Sequence, residues 1–228
     1  MTDGLGLLLF GDVVGSRRDS SGSTAWLRSL VAELDAAYGD ERLAPFGFAQ
    51  GDELEGLLEP TADPFVAILR AALGQEGRRM RWAVVRGETD ADSTEGKAPA
   101  TERTGRAFVT ARTAIEAARN GHVRLVILTG QPDVDELLAD LAPALVDLLD
   151  GLTERQRTVA RLALIEGMSQ SEVADRLKVR RATVSVSFSR ARVRPLQRLV
   201  AGMRRVYASG SGDPWRVVAG STGEAPGA

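Results

Sequence analysis

Apolar side chains recur along this chain in two rhythms, one paired with short strands and one purely helical. Residues 5–10 are apolar throughout and stop at Gly11-Asp12, as a short buried strand does. Trp26, Leu27, Leu30, Val31, Leu34 and Tyr38 then return at helical spacing, with Ser23 or Thr24 as the expected cap and Gly39 as the stop. Residues 45–50 and 53–58 flank Gly51-Asp52, a hairpin signal. Asp63-Pro64 opens a second helix through Phe65, Ile68, Leu69 and Leu73, and residues 80–86 read as a strand. The order strand, helix, strand, strand, helix, strand predicts a ferredoxin-like (βαββαβ) sheet. Residues 88–104 are small and charged and read as a flexible loop. A helix over 106–119, a strand over 123–128 and a helix over 134–149 follow.

Beyond residue 150 only the helical rhythm remains. Thr153 caps a helix that buries Val159, Leu162 and Ile165, and Gly167 stops it. Ser169 and Glu172 stand at the spacing of a capping box, ahead of an inner face of Val173, Ala174 and Leu177. After the turn at 178–180, a third helix buries Val184, Phe188 and Ala191. Pro195 should end or kink it. Leu196, Leu199, Val200, Met203 and Val206 then form an apolar stripe, which packs either on its own domain or, in the sharper reading, across a dimer. The predicted class is α+β: a ferredoxin-like domain at 1–132, a connecting helix at 133–150, an all-α domain at 151–208 and a flexible tail at 209–228.

Charge sharpens this division. The net charge of -2 hides a strongly uneven distribution. Residues 151–208 hold thirteen Arg and Lys against four acids, while residues 1–150 carry a net -10. A basic helical module beside an acidic one implies an anionic partner for the former. Two short helices joined by a tight turn, the second bearing small polar and basic side chains, form a helix-turn-helix. It resembles region 4 of sigma factors and the response-regulator type of helix-turn-helix. In such a unit the third helix enters the major groove by its N-terminal residues. Arg181, Ala182, Ser185, Val186 and Ser189 are expected to face bases, with Arg181 first choice for a guanine. Arg180, Arg190, Arg192 and Arg194 are expected on phosphates, joined by Lys178 and Thr183. Double-stranded DNA is thus the expected partner, and a homodimer would match a palindromic site.

Other chemistries are excluded or set aside. The chain has no cysteine, so disulfides and thiolate metal sites are ruled out, and the lone His122 rules out a multi-histidine cluster. No apolar run approaches the roughly 20 residues of a membrane helix, which gives the expectation of a cytoplasmic protein without a membrane partner.

The acidic part carries one constellation. In a 4-1-3-2 sheet, Asp12 at the end of the first strand lies beside Asp52 at the hairpin tip. Two converging carboxylates there could hold Mg²⁺ with a nucleotide, while the amides of Val13, Val14, Gly15 and Ser16 receive phosphate oxygens. Each aspartate taken alone is an ordinary turn or loop residue. Glu53 is set aside, because successive strand residues point to opposite faces.

At these residues the chain resembles a known group. "LLLFGDVVGS" (7–16) is similar to the metal-binding first strand of class III nucleotide cyclases, and "QGDELEGLL" (50–58) to their hairpin and to that of diguanylate cyclases. "MRWAVVRGE" (80–88) and "GRAFVTARTAIEAARNG" (105–121) continue in the same order. The whole chain resembles the SatD-like family, in which a cyclase-type palm precedes a helix-turn-helix. The resemblance implies nucleotide binding at Asp12, Asp52 and the 13–16 loop, with Mg²⁺ on the two aspartates and Arg112 on a phosphate. The departures matter. Gly47, Phe48 and Ala49 stand where cyclases carry a purine-reading lysine, and Phe108, Val109 and Thr110 where they carry an asparagine. Losing such groups favours binding over turnover. The leading expectation is therefore a DNA-binding regulator whose degenerate palm senses a nucleotide. The alternative is a Mg²⁺-dependent cyclase with an attached DNA module. A third reading makes the palm a dimer scaffold only.

Overall fold

The computed structural model describes residues 4–15, 20–49, 52–74, 76–90 and 98–210. Ser16 and Gly51 lie outside them. Five strands form one sheet: β1 (Leu5–Val13), β2 (Arg42–Ala49), β3 (Glu53–Leu58), β4 (Met80–Glu88) and β5 (Leu125–Leu128), in the order β2-β3-β1-β4-β5. β1 runs antiparallel to both β3 and β4, so the first four strands have the ferredoxin-like order the sequence predicts. β5 adds a parallel edge beside β4. The architecture is α+β, with a helical C-terminal region.

β1 is buried on both faces, which is why its sequence shows no polar alternation. Leu7, Leu9 and Val13 face one core with α1 (Ser20–Tyr38) and α2 (Phe65–Leu73); Leu8 and Phe10 face a second core with α3 (Arg106–Asn120). The strand extends three residues past the apolar run, because Gly11 pairs with Leu54 and Trp82 and lets the sheet close over it. A side chain at 11 would start 2.6 Å from the Met80 methyl. Gly56 is stricter: a Cβ there would fall 2.1 Å from the ring of Phe46, which lies flat on the strand.

One expectation for this part fails. Helix α1 begins at Ser20, so Ser23 is not its cap; it is fully buried and accepts a hydrogen bond from Arg78 Nη1 at 3.0 Å. Of the stretch 88–104, expected as a flexible loop, residues 91–97 lie outside the described residues; at its end a 3-10 turn at Ala100–Glu102 buries Ala100 in the second core.

Among the described residues five helices follow: α4 (Pro132–Asp150), α5 (Glu154–Leu164), α6 (Gln170–Leu177), α7 (Arg181–Arg190) and α8 (Val193–Ser209). The break between α7 and α8 comes at Arg192, which is left-handed with φ 49°. Pro195 therefore does not end a helix; it sits in the first turn of α8, where its missing N–H costs nothing. The apolar stripe of α8 is a second correction. Leu196, Val200, Met203 and Tyr207 are buried in the larger core with α4, and the Tyr207 ring meets Phe65 edge-on at 6.4 Å. Arg86 stacks its guanidinium 4.3 Å from the Tyr207 centroid, and Arg204 pairs with Asp63 at 2.7 Å. The stripe read as a dimer contact is intramolecular. Helix α4 likewise does more than connect, since Leu138, Ala142, Leu145 and Leu149 all enter that core.

Candidate nucleic-acid interface and the polar cleft of the sheet

Helices α5, α6 and α7 close around a small core of Val159, Leu162, Val173, Ala174 and Val184. Their ends are set by local chemistry. Thr153 Oγ1 accepts from Gln156 N at 3.4 Å while Thr153 N donates to Gln156 Oε1 at 2.8 Å. Ser169 and Glu172 make the same reciprocal pair, at 3.3 and 2.7 Å. These bonds hold the Glu172 carboxyl below the usual range, because both the backbone amide and the hydroxyl of Ser169 favour its ionised form. Lys178 then takes a left-handed turn, φ 53°, that redirects the chain into α7.

On α7, Val184 points inward and Phe188 is half-buried, while Arg181, Ala182, Ser185, Val186, Ser189 and Arg190 are exposed. These six lie at spacings of one, three and four residues, hence on one face. Val186 is a large apolar side chain left 51% exposed on that face. Lys178, Arg180, Arg192 and Arg194 flank it, all exposed; Thr183 is half-buried. Of the residues expected to meet DNA, all but Thr183 are exposed. Their side chains offer guanidinium forks, hydroxyls and one large exposed apolar group.

The second cleft lies on the α3 side of the sheet. The end of β1 meets the hairpin tip, where Val13 N donates to Asp52 O at 3.1 Å. Val14 and Gly15 are exposed beyond it, and Gly15 is left-handed with φ 79°. Asp12 is buried, and its carboxylate is bracketed by two guanidiniums: Arg81 Nη1 on Oδ2 and Arg119 Nη2 at 3.4 Å from Oδ1. Arg119 also reaches Glu53 at 3.2 Å. The acid that shares a partner with Asp12 is therefore Glu53, the neighbour set aside on the sequence. Asp52 is half-buried. This donor set does not fit Mg²⁺ resident on Asp12 and Asp52, because a divalent cation would have to displace Arg81 or Arg119 from a carboxylate they already neutralise.

Further along the same face, Glu55 is 1% exposed. Arg112 Nη2 stands 3.5 Å from its Oε1, while Oε2 finds no partner among the described residues. Burial pushes the Glu55 carboxyl up, with Arg112 opposing. Arg112 itself is largely exposed, at the mouth of a cavity of about 290 Å³ lined also by Phe10, Ile115 and Arg119. Sequence reasoning missed Arg81, Arg119 and Glu55. Two signals were present: Arg112 and Arg119 stand two helical turns apart, hence on one face, and Glu53 and Glu55 stand two apart on β3, hence also on one face.

Residues 143–194 match the family described as Sigma-70, region 4. The match runs from the middle of α4 through α5, α6 and α7 into the first turn of α8. The C-terminal part of the chain is therefore a DNA-binding, transcription-related helix-turn-helix domain. No curated protein matches the chain. Among the described residues, no helix is long and apolar enough to cross a membrane.

Proposed function

We propose that this protein regulates transcription by placing α7 in the major groove of duplex DNA, and that its N-terminal domain senses a nucleotide. The observation that carries the reading is the open face of α7, with Arg181 and Arg190 at its two ends and Ser185, Val186 and Ser189 between them. Arg181 reads a base edge; Arg180, Arg190, Arg192 and Arg194 hold phosphates. In the full chain, an Arg181→Ala, Arg190→Ala double variant is expected to weaken duplex binding by about ten- to a hundredfold. It should also lower the dependence of affinity on salt by about one unit of slope for the lost phosphate contact. Unaltered binding by this variant would refute the recognition-helix assignment.

The sensing part of the proposal rests on the resemblance of the first strand and hairpin to a cyclase-type palm of the SatD-like kind. Two arginines at the polar cleft support it, although Glu53, Glu55 and Glu116 line the same cavity. There a nucleotide phosphate meets Arg112 and Arg119, exchanging with the carboxylates they now face. No step is routed through Mg²⁺. A thermal-shift series of mono-, di- and cyclic dinucleotides on the full chain tests it, since a ligand of the folded state raises the melting point. The response should disappear in an Arg112→Ala, Arg119→Ala variant. Pairing of two copies on a palindromic site belongs to the same proposal and uses a surface other than the α8 stripe.

A further inference from the structure

A second cavity, of about 130 Å³, lies where the sheet body meets the helix-turn-helix domain. Its floor is apolar, with Trp82, Met80 and Leu149, but its walls carry four arginines: Arg78, Arg79, Arg124 and Arg157. Among the described lining residues the only acid is Asp150, which takes Arg124 Nη1 and lies 3.5 Å from Arg79 Nε. Arg124 is fixed further by donating from Nε to the Met80 carbonyl at 3.0 Å. Arg157 comes from the other side, on α5, and donates from Nη1 to the Gly77 carbonyl at 3.0 Å. Gly77 is left-handed, with φ 48°, and a Cβ on it would fall 2.6 Å from that same Nη1. The backbone is thus shaped to admit the guanidinium. Arg157 Nε is buried and has no acceptor among the described residues.

We infer that this cavity binds a phosphate group, supplied by inorganic phosphate or by the phosphoryl end of a small metabolite. Arg78 is engaged elsewhere, by Ser23 and by Glu76 at 3.7 Å, but Arg79, Arg124 and Arg157 gather around the single carboxylate of Asp150, which does not balance all three. A phosphate restores the balance, supplies the acceptor Arg157 Nε lacks, and matches the planar fork of each guanidinium. Size agrees with chemistry. The cavity offers several times the room a single water needs, so a phosphate fits. The site is made from both parts of the chain: Arg79 and Arg124 belong to the sheet body, Asp150 to the end of α4, and Arg157 to the first helix of the DNA-binding domain. A phosphate there ties α5 to the sheet. This site is separate from the α7 face and from the Arg112–Arg119 cleft, and it stands whether or not those readings hold.

The test uses the full chain at constant ionic strength, with inorganic phosphate in the millimolar range as the probe and melting temperature as the readout. Phosphate should raise the melting temperature by several degrees where the same ionic strength of chloride does not. Arg157→Gln should raise the apparent Kd on the order of tenfold or more. Arg79→Gln should do the same; its side chain is 64% exposed, so this variant tests the site even if Arg157→Gln fails to fold. Arg112→Ala and the Arg181→Ala, Arg190→Ala variant should keep the response, which separates this cavity from the other two arginine-bearing surfaces. A response equal to that of chloride overturns the inference. So does one that persists in Arg79→Gln and Arg157→Gln but vanishes in Arg112→Ala.

Discussion

Arg119, in the last turn of α3, stands 3.4 Å from the carboxylate of Asp12 at the end of β1 and so ties the covering helix to the central strand. With Arg81 on the other oxygen, the site works as a charge-balanced clasp.

The first prediction concerns that clasp. Asp12→Ala leaves Arg81, whose side chain is 11% exposed, without its buried counter-ion. Removing one partner of a buried pair costs about 3–5 kcal/mol. Urea unfolding followed by circular dichroism reads the loss. If Asp12 were chiefly a metal ligand, the variant would unfold as the parent does in metal-free buffer.

Glu55 gives a prediction in pH. Burial raises its folded-state pKa above the unfolded value, so its contribution to stability is fully present below the unfolded pKa and declines as pH rises through the folded one. Glu55→Gln keeps the shape and removes the titration. The variant should melt above the parent at neutral pH, and the gap should close below about pH 4. Parallel melting curves across that range would contradict the assignment.

The stripe of α8 can be tested by dilution. Leu196 is fully buried, and Leu196→Ala should cost about 2–5 kcal/mol through the cavity it leaves. The loss in melting temperature should be the same at low and high protein concentration. A loss that grows on dilution would place the side chain in a subunit contact instead.

Ser169 is the simplest case. Ser169→Ala removes the cap of α6 and should cost about 1 kcal/mol. Because α6 supports α7, duplex affinity should fall with it, whereas Ser169→Asp restores both. Differential scanning calorimetry and duplex titration of the two variants provide the check.

The parts legible in the sequence were those governed by local chemistry. The capping box at Ser169 and Glu172, the inward spacing of Val184 and Phe188, and the succession of strands and helices from β1 to β4 follow from neighbours a few residues apart. The rest needed the third dimension. Ser23 looks like a cap until Arg78, 55 residues away, is found bonded to it. The α8 stripe is ambiguous until α4 is seen to cover it, since periodicity names a buried face and not what buries it. The clasp at Asp12 escaped because its arginines come from β4 and α3, and no spacing links them to β1. Glu53 shares a face with Asp12 because the two stand opposite each other across β1 and β3, whereas Asp52 lies in the turn and sets no face.

The shared core of α4, α8 and the sheet sets a practical limit on dissecting this molecule. A piece beginning at Gly151 would keep every groove-facing side chain and still be a poor miniature. The inner surface of its last helix, with Met203 and Tyr207, would lie bare to water and invite self-association. Its affinity for DNA would then report on clumping as much as on recognition, and only the intact polypeptide gives a clean reading.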